Sequence, residues 1–232
     1  MLARLYEAFD PIDVESVAAF VYWLAESYGL RGRLRLLDMG CGTGRTLPSF
    51  TALGWSVTGM EPNTQLASRP EIVVGGFADL NEQNTYHIVT AINGPYSYLL
   101  ARADRLDALS RVHRALLAGG IILLDVWNFI AALRHYADPP PVEKVVGGQH
   151  VRLQREHIFD FHHATISQVE TYNLPDGSHH TLTHTLAILT QPQIAAELQD
   201  AGFDDIRTFP GYASRRPAPV TGSQMLIAAR VP

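Results

Sequence analysis

The stretch Leu36-Leu37-Asp38-Met39-Gly40-Cys41-Gly42-Thr43-Gly44 constrains this chain more than any other part of it. Its first half reads as a buried strand and its second half as a glycine turn. Leu47, Phe50 and Leu53 then mark a helix whose first turn tolerates Pro48. A strand turning through glycines into a helix lets backbone amides and the helix N-terminus face a ligand. The bland alternative is a tight turn with no ligand. The alternation repeats, with strands expected over 34–38, 55–60, 72–74, 87–92 and 121–126. Helices are expected near 64–68 and over 104–117, the second stopped by Gly119 and Gly120. The first thirty residues read as helix from the spacing of Val14, Val17, Ala18, Val21 and Leu24, with Gly29 as a stop. Strands alternating with helices predict a parallel sheet covered on both faces.

The pattern changes at Asp138-Pro139-Pro140-Pro141. Two β-like stretches, 150–173 and 179–190, are joined by Leu174-Pro175-Asp176-Gly177, a hairpin signal. A helix starts at Gln191-Pro192 and closes near Gly202; strands over 204–209 and 224–230 end the chain. The expected organisation is one α/β domain over 1–232, with an N-terminal helical lid (1–30) and an antiparallel insertion (142–190) serving as lid or dimer interface. At 232 residues, 47% hydrophobic and 18% charged, the chain fits one such domain and has too much apolar material for disorder. No apolar run reaches the roughly 20 residues of a membrane span, and acids occupy the N-terminus, so a cytoplasmic, membrane-free protein is expected. The single cysteine, Cys41, excludes an internal disulfide and reads as a small packed side chain. A net charge of −5 without a basic stripe argues against nucleic acid.

Glu61 lies 21 residues after Gly40, at the end of the next strand, where a carboxylate can accept from both ribose hydroxyls of a nucleoside. The dinucleotide fingerprint G-x-G-x-x-G fails, because its last place is Arg45. Asp38, just before the loop, would repel a pyrophosphate. It would attract the sulfonium and α-ammonium of S-adenosylmethionine. Charge complementarity therefore favours the methyl donor over NAD, whose oxidoreductase reading rests on α/β organisation alone.

On these residues the chain resembles class I S-adenosylmethionine-dependent methyltransferases, nearest to the small-molecule, sugar N,N-dimethyltransferase-like subgroup. The likeness runs through Glu61, through Leu117-Ala118-Gly119-Gly120, and through His184-Thr185-Leu186 and Ala201-Gly202-Phe203 to the last strand. It implies a Rossmann-like seven-stranded mixed sheet of order 3-2-1-4-5-7-6 with the last strand antiparallel. It also places Gly40, Gly42 and Gly44 around the methionine part of the donor, Asp38 at its ammonium, and Glu61 on the ribose diol. Pro62 would lie near the adenine, with the backbone of residues 91–93, including Asn93, at the sulfonium and amino group. The family often carries an acid after the third strand that accepts from the adenine amine; Gly76 stands there in this chain. Phe77 can stack on the base and offer its amide, and Asp79 can substitute as acceptor only if the loop shifts.

Seven of the ten histidines fall between 150 and 184, yet no metal is expected, since His162 and His163 would point to opposite faces of a strand. His184 matches the subgroup's histidine near the pocket and is the candidate base, with Tyr6 as its orienting partner. Relatives place an aromatic such as Tyr6 or Phe9 over the donor, where a ring suits a sulfonium. Tyr96, Tyr98, Trp127 and Asn128 follow the fourth and fifth strands, the usual address of a substrate wall in an open sheet. The expected function is methyl transfer to N or O of a small molecule by a monomer or homodimer. The alternative is a non-enzymatic module that binds the donor.

Overall fold

The computed structural model describes residues 2–10, 12–133 and 137–232. Met1 and Pro11, which fall within the expected N-terminal lid, lie outside them. The sequence's leading strand forms as β1 (Arg35–Met39), with β2 (Ser56–Glu61) and β4 (Tyr86–Ala91) parallel on either side. β3 (Ile72–Val74) extends one edge, while β5 (Leu116–Trp127), β11 (Gln224–Arg230) and β10 (Asp204–Phe209) extend the other. The sheet order is β10-β11-β5-β4-β1-β2-β3, with β11 antiparallel to both neighbours. Counted along this sheet alone, that order is 3-2-1-4-5-7-6, as expected.

Alternation along each strand divides the core into two layers. Leu36, Ile88, Leu123 and Leu226 pack with Phe20, Val21 and Leu24 of α2 (Val14–Ser27) and with Phe50 of α3 (Leu47–Ala52). Leu37, Val89, Leu124 and Ile227 pack on the other face with α4 (Arg102–Ala115) and α6 (Gln191–Asp200). A second sheet, β6 (Val142–Val146), β7 (Gln149–Asp160), β8 (Thr165–Asn173) and β9 (His179–Ala187), is wholly antiparallel. It forms the insertion, with α5 (Phe129–Leu133) preceding it.

Several sequence expectations are corrected. The N-terminus forms two helices, α1 (Leu2–Phe9) and α2, because Asp13 caps the second, accepting from the Ser16 amide at 3.0 Å. Residues 64–66 form only a turn, with Leu66 N donating to Asn63 O. Gly119 and Gly120 do not stop a helix: α4 ends at Ala115, and both glycines lie inside β5. The carbonyls of Arg114 and Ala115 accept from Asn84 N and Thr85 N, so the chain entering β4 satisfies the end of the helix. Gly119, at φ +76°, marks a register shift between β4 and β5. The stretch 150–173 is two strands, and His162 and His163 sit in the turn between them. β6 was not foreseen; five residues are too short to separate from loop once Pro141 precedes them.

One buried ion pair joins the helical layer to the sheet's loops. Arg105 of α4 donates from Nε and Nη2 to Glu197 of α6, and from Nη1 to the carbonyls of Leu99 and Leu100. Tyr96 donates its hydroxyl to Glu197 Oε2 at 2.7 Å. Removing one partner leaves the other charge buried and alone, which costs about 3–5 kcal/mol. Glu197→Ala is expected to lower unfolding free energy by that amount in urea titrations, and Glu197→Gln by clearly less.

Candidate active site

The carboxyl ends of β1, β2 and β4 open into a crevice of about 340 Å³, within the range of small-molecule sites. Its floor is the glycine loop. Gly40 sits at φ +65°, and a Cβ there would lie 2.5 Å from Pro95 Cβ. Gly42, at φ +58°, faces Tyr6, whose ring would contact a side chain at that position. Backbone therefore approaches the crevice where side chains are excluded.

Two acids hold the loop. Asp38 is buried, and its two oxygens accept from Thr46 and Thr90 hydroxyls, each at 2.8 Å. Burial pushes its carboxyl up to about 6, against the pull of those two hydroxyls. Glu61 accepts from Gly42 N through Oε2 and from Asn63 N through Oε1, both at 2.9 Å, and lines the crevice. Carboxylate oxygens carry further lone pairs, so Glu61 remains able to accept from a diol.

Gly40, Gly42, Glu61, Pro62, Gly76, Phe77, Asn93, Tyr98, His184 and Tyr6 all line this crevice. Asp38 does not: it lies one layer behind, bonded to two threonines, and reaches the crevice through its field. Gly44 also sits behind the loop, where a Cβ would strike Leu47 and Ile72. Asp79 accepts from Gly76 N and stays outside. Cys41 is a half-buried thiol whose pKa burial raises, with Asp38 and Glu61 adding to it. Asn63, Leu66, Ile92, Pro95, Leu99 and Leu182 complete the wall.

A second chamber, about 500 Å³, shares Tyr6, Asn93, Tyr98 and His184 with the first. Tyr98 Oη and His184 Nδ1 are 2.7 Å apart, with their rings edge-on. Burial raises the Tyr98 phenol, and Tyr6 and the acids Glu170, Glu61 and Asp10 reinforce the shift. The phenol of Tyr6 rises to about 12, mainly through burial and then Asp10, while Arg45 sits 5.0 Å above its ring. Arg45 and the Asn93 amide both donate to Asp10 Oδ2, at 3.0 and 2.7 Å.

The insertion supplies the far side. Arg155, His157, Gln168 and Glu170 line the chamber. Glu170 accepts from Arg155 Nε, Gln168 Nε2 and the Tyr172 hydroxyl. Burial raises its carboxyl, but Arg155 first and then Tyr172 bring it below its ordinary value. The sequence reading missed these residues, although Gln168, Glu170 and Tyr172 stand two apart on one strand face. Trp127 lines the chamber. Tyr96 is corrected as a wall candidate: it is fully buried against Glu197. Asn128 is also corrected, since it donates to Gly222 O and lines a separate open groove beside β10. Among the described residues, no group of three or more metal-ligating side chains comes together, and no helix is long and apolar enough to cross a membrane.

A mixed seven-stranded sheet with a glycine cradle and an acid at the second strand's end defines a nucleoside-binding α/β protein. The chain matches the family described as "Methyltransferase domain" over residues 15–208 and belongs to it. It is 28% identical over 135 residues to the cypemycin N-terminal methyltransferase of Streptomyces sp, covering 51% of this chain and 53% of that one. The chain spans about half the length of the curated relatives it matches. Its fold is similar to an S-adenosylmethionine-dependent methyltransferase from Clostridium acetobutylicum ATCC 824, with TM-score 0.81, 13% identity, and 99% and 97% of the two chains covered. An amino pentose methyltransferase from Micromonospora echinaspora, solved with S-adenosylmethionine bound, gives TM-score 0.74, 21% identity, and 98% and 97% coverage.

The raised Asp38 carboxyl sets a pH dependence. The folded chain keeps this proton up to about pH 6, whereas the unfolded carboxyl releases it near 3.8. Stability from this group therefore falls as pH rises between about 4 and 6, by up to about 3 kcal/mol. Denaturant titrations across that range are expected to show a shallower decline for Asp38→Asn than for the wild type.

Proposed function

We propose that this protein is an S-adenosylmethionine-dependent methyltransferase that methylates the nitrogen of a small-molecule amine. The observation that carries the reading is the shared wall: the glycine-floored crevice and the polar chamber meet at Tyr6, Asn93, Tyr98 and His184. S-adenosylmethionine supplies, when bound, a methyl carbon on a sulfonium, open to a lone pair from the side opposite sulfur. The residues present suit it. Glu61 is placed to take the ribose diol, Pro62 and Phe77 to flank the base, and the Gly40–Gly42 backbone to border the amino-acid end. Asp38 adds negative potential behind the loop, and Tyr6 offers an aromatic ring to the sulfonium.

An amine needs orientation, exclusion of water and a proton outlet. The chamber's acids are already engaged, Asp10 by Arg45 and Asn93, Glu170 by three donors. The raised phenol of Tyr98 stays protonated at neutral pH. Of the two chamber histidines, His157 and His184, His184 also lines the donor crevice and so receives the proton that the methylated nitrogen sheds, with Tyr98 orienting its ring through Nδ1. The names of the amino pentose and N-terminal methyltransferases support a nitrogen acceptor. In this reading α1 and the insertion are lids that close the two cavities from opposite sides.

Calorimetry with S-adenosylhomocysteine and product analysis with a panel of amines, phenols and sugars test the reading. Binding and methylated amine are expected; no binding at millimolar concentration overturns it, and binding without product from any acceptor leaves a donor-binding module instead. Glu61→Ala, which removes charged hydrogen bonds worth about 1.5–3 kcal/mol, is expected to weaken S-adenosylhomocysteine by roughly tenfold to a hundredfold.

A further inference from the structure

Asp125 lies two residues before the end of β5, almost fully buried. Among the described residues, each side chain or amide that reaches its carboxylate is neutral. Asn93 N and the Tyr212 hydroxyl donate to Oδ2 at 3.0 and 2.7 Å, and the Gln224 amide lies 3.3 Å from Oδ1. Among the described residues it forms no ion pair, in contrast to Asp10, Glu170 and Glu197, which each pair with an arginine. A buried carboxylate surrounded by neutral donors is an expensive arrangement. Burial accordingly raises the Asp125 carboxyl.

Beside it is a cavity of about 200 Å³, lined by Asn93, Asp125, Val126, Trp127, Ser223 and Gln224. Asn93 and Trp127 are also walls of the larger chamber. Among the described residues Oδ1 receives only the long Gln224 contact, so it has lone pairs to spare. Trp127 is exposed and stacks on Phe129 at 6.1 Å between ring centroids, while also lining the cavity, and an indole attracts organic cations. A carboxylate lacking a counter-charge, an aromatic ring and a cavity opening beside the acceptor chamber share one chemistry.

We propose that this cavity binds an ammonium group of the acceptor other than the nitrogen that is methylated, seated between Asp125 Oδ1 and Trp127. The acceptor is then at least a diamine: one nitrogen is anchored here and the other reacts in the chamber. The assignment rests on the amine-methyltransferase reading for its meaning, but the cation site itself can be measured without the donor.

The test is saturation-transfer NMR with n-propylammonium as probe and n-propanol as its neutral counterpart. The ammonium is expected to bind the wild-type protein at least tenfold more tightly than the alcohol. Asp125→Asn, which keeps an acceptor for Asn93 N but loses the charge, is expected to weaken the ammonium at least tenfold. Gln224→Glu, which adds a second carboxylate to the same cavity, is expected to tighten it. Equal binding of ammonium and alcohol, or equal ammonium binding by wild type and Asp125→Asn, overturns the site. Should Asp125→Asn fail to fold, an affinity unchanged by Gln224→Glu overturns it instead. S-adenosylhomocysteine binding without ammonium binding removes only this site, whereas ammonium binding without donor binding removes only the methyltransferase reading.

Discussion

The buried carboxylate of Asp38, held between Thr46 and Thr90, is the contact on which the rest of the site depends. It joins three pieces of chain: the end of β1, the start of α3 after the glycine loop, and β4. The loop cannot move relative to β4 without stripping a hydroxyl from a charge that has no water to replace it. Because residues 92 and 93 follow β4 directly, the same contact fixes the wall opposite the glycine floor. Glu61 repeats the device one strand over, tying the loop's Gly42 to the turn after β2. Two acids thus stitch the strand ends that a ligand must find already in place.

The insertion sheet acts on this frame through α1. Lys144 donates to Ala8 O and Arg155 to Phe9 O, so two cations meet the carbonyl end of that helix, where the backbone dipole favours them. Phe9 packs edge-on against Tyr172, and Leu5 joins Val151 and Leu153 in a small separate core. Asp10 then returns the chain to Arg45 and Asn93 beside the crevice. Tyr6 is held between these two anchorages, which is why it lines both cavities.

Much of the fold could be read because its signals are local. The strand, the glycine loop and the spacing of Glu61 are dictated by short-range needs: extended backbone, positive φ and a carboxylate at a strand end. The Asp176-Gly177 hairpin and the final two strands are equally local. What failed were places where tertiary contacts decide. Gly119 looks like a helix stop, but pairing of Leu116 with Tyr86 draws the chain into β5 before the glycines are reached. Tyr96 and Tyr98 stand two apart after the same strand, yet Glu197, 101 residues beyond Tyr96, claims only the first. Arg155 and Glu170 could not be paired from sequence, since their meeting requires the β7–β8 register.

The distribution of charge across the site follows from what such chemistry must overcome. In the proposed reaction, a sulfonium donor and an amine acceptor that carries further basic nitrogens would repel one another. At 4 Å and an effective dielectric of 20 that repulsion is about 4 kcal/mol per pair of unit charges. Asp38 and Glu61 stand at the carboxyl ends of β1 and β2 on the donor side, and Asp125 stands near that of β5 on the acceptor side. The chamber between them holds carboxylates already matched by Arg45 and Arg155. Unmatched negative charge is therefore kept to the two flanks, where each cation can be held by its own acid. The middle, where the methyl group must pass, is left close to neutral, so neither partner is held there by charge alone.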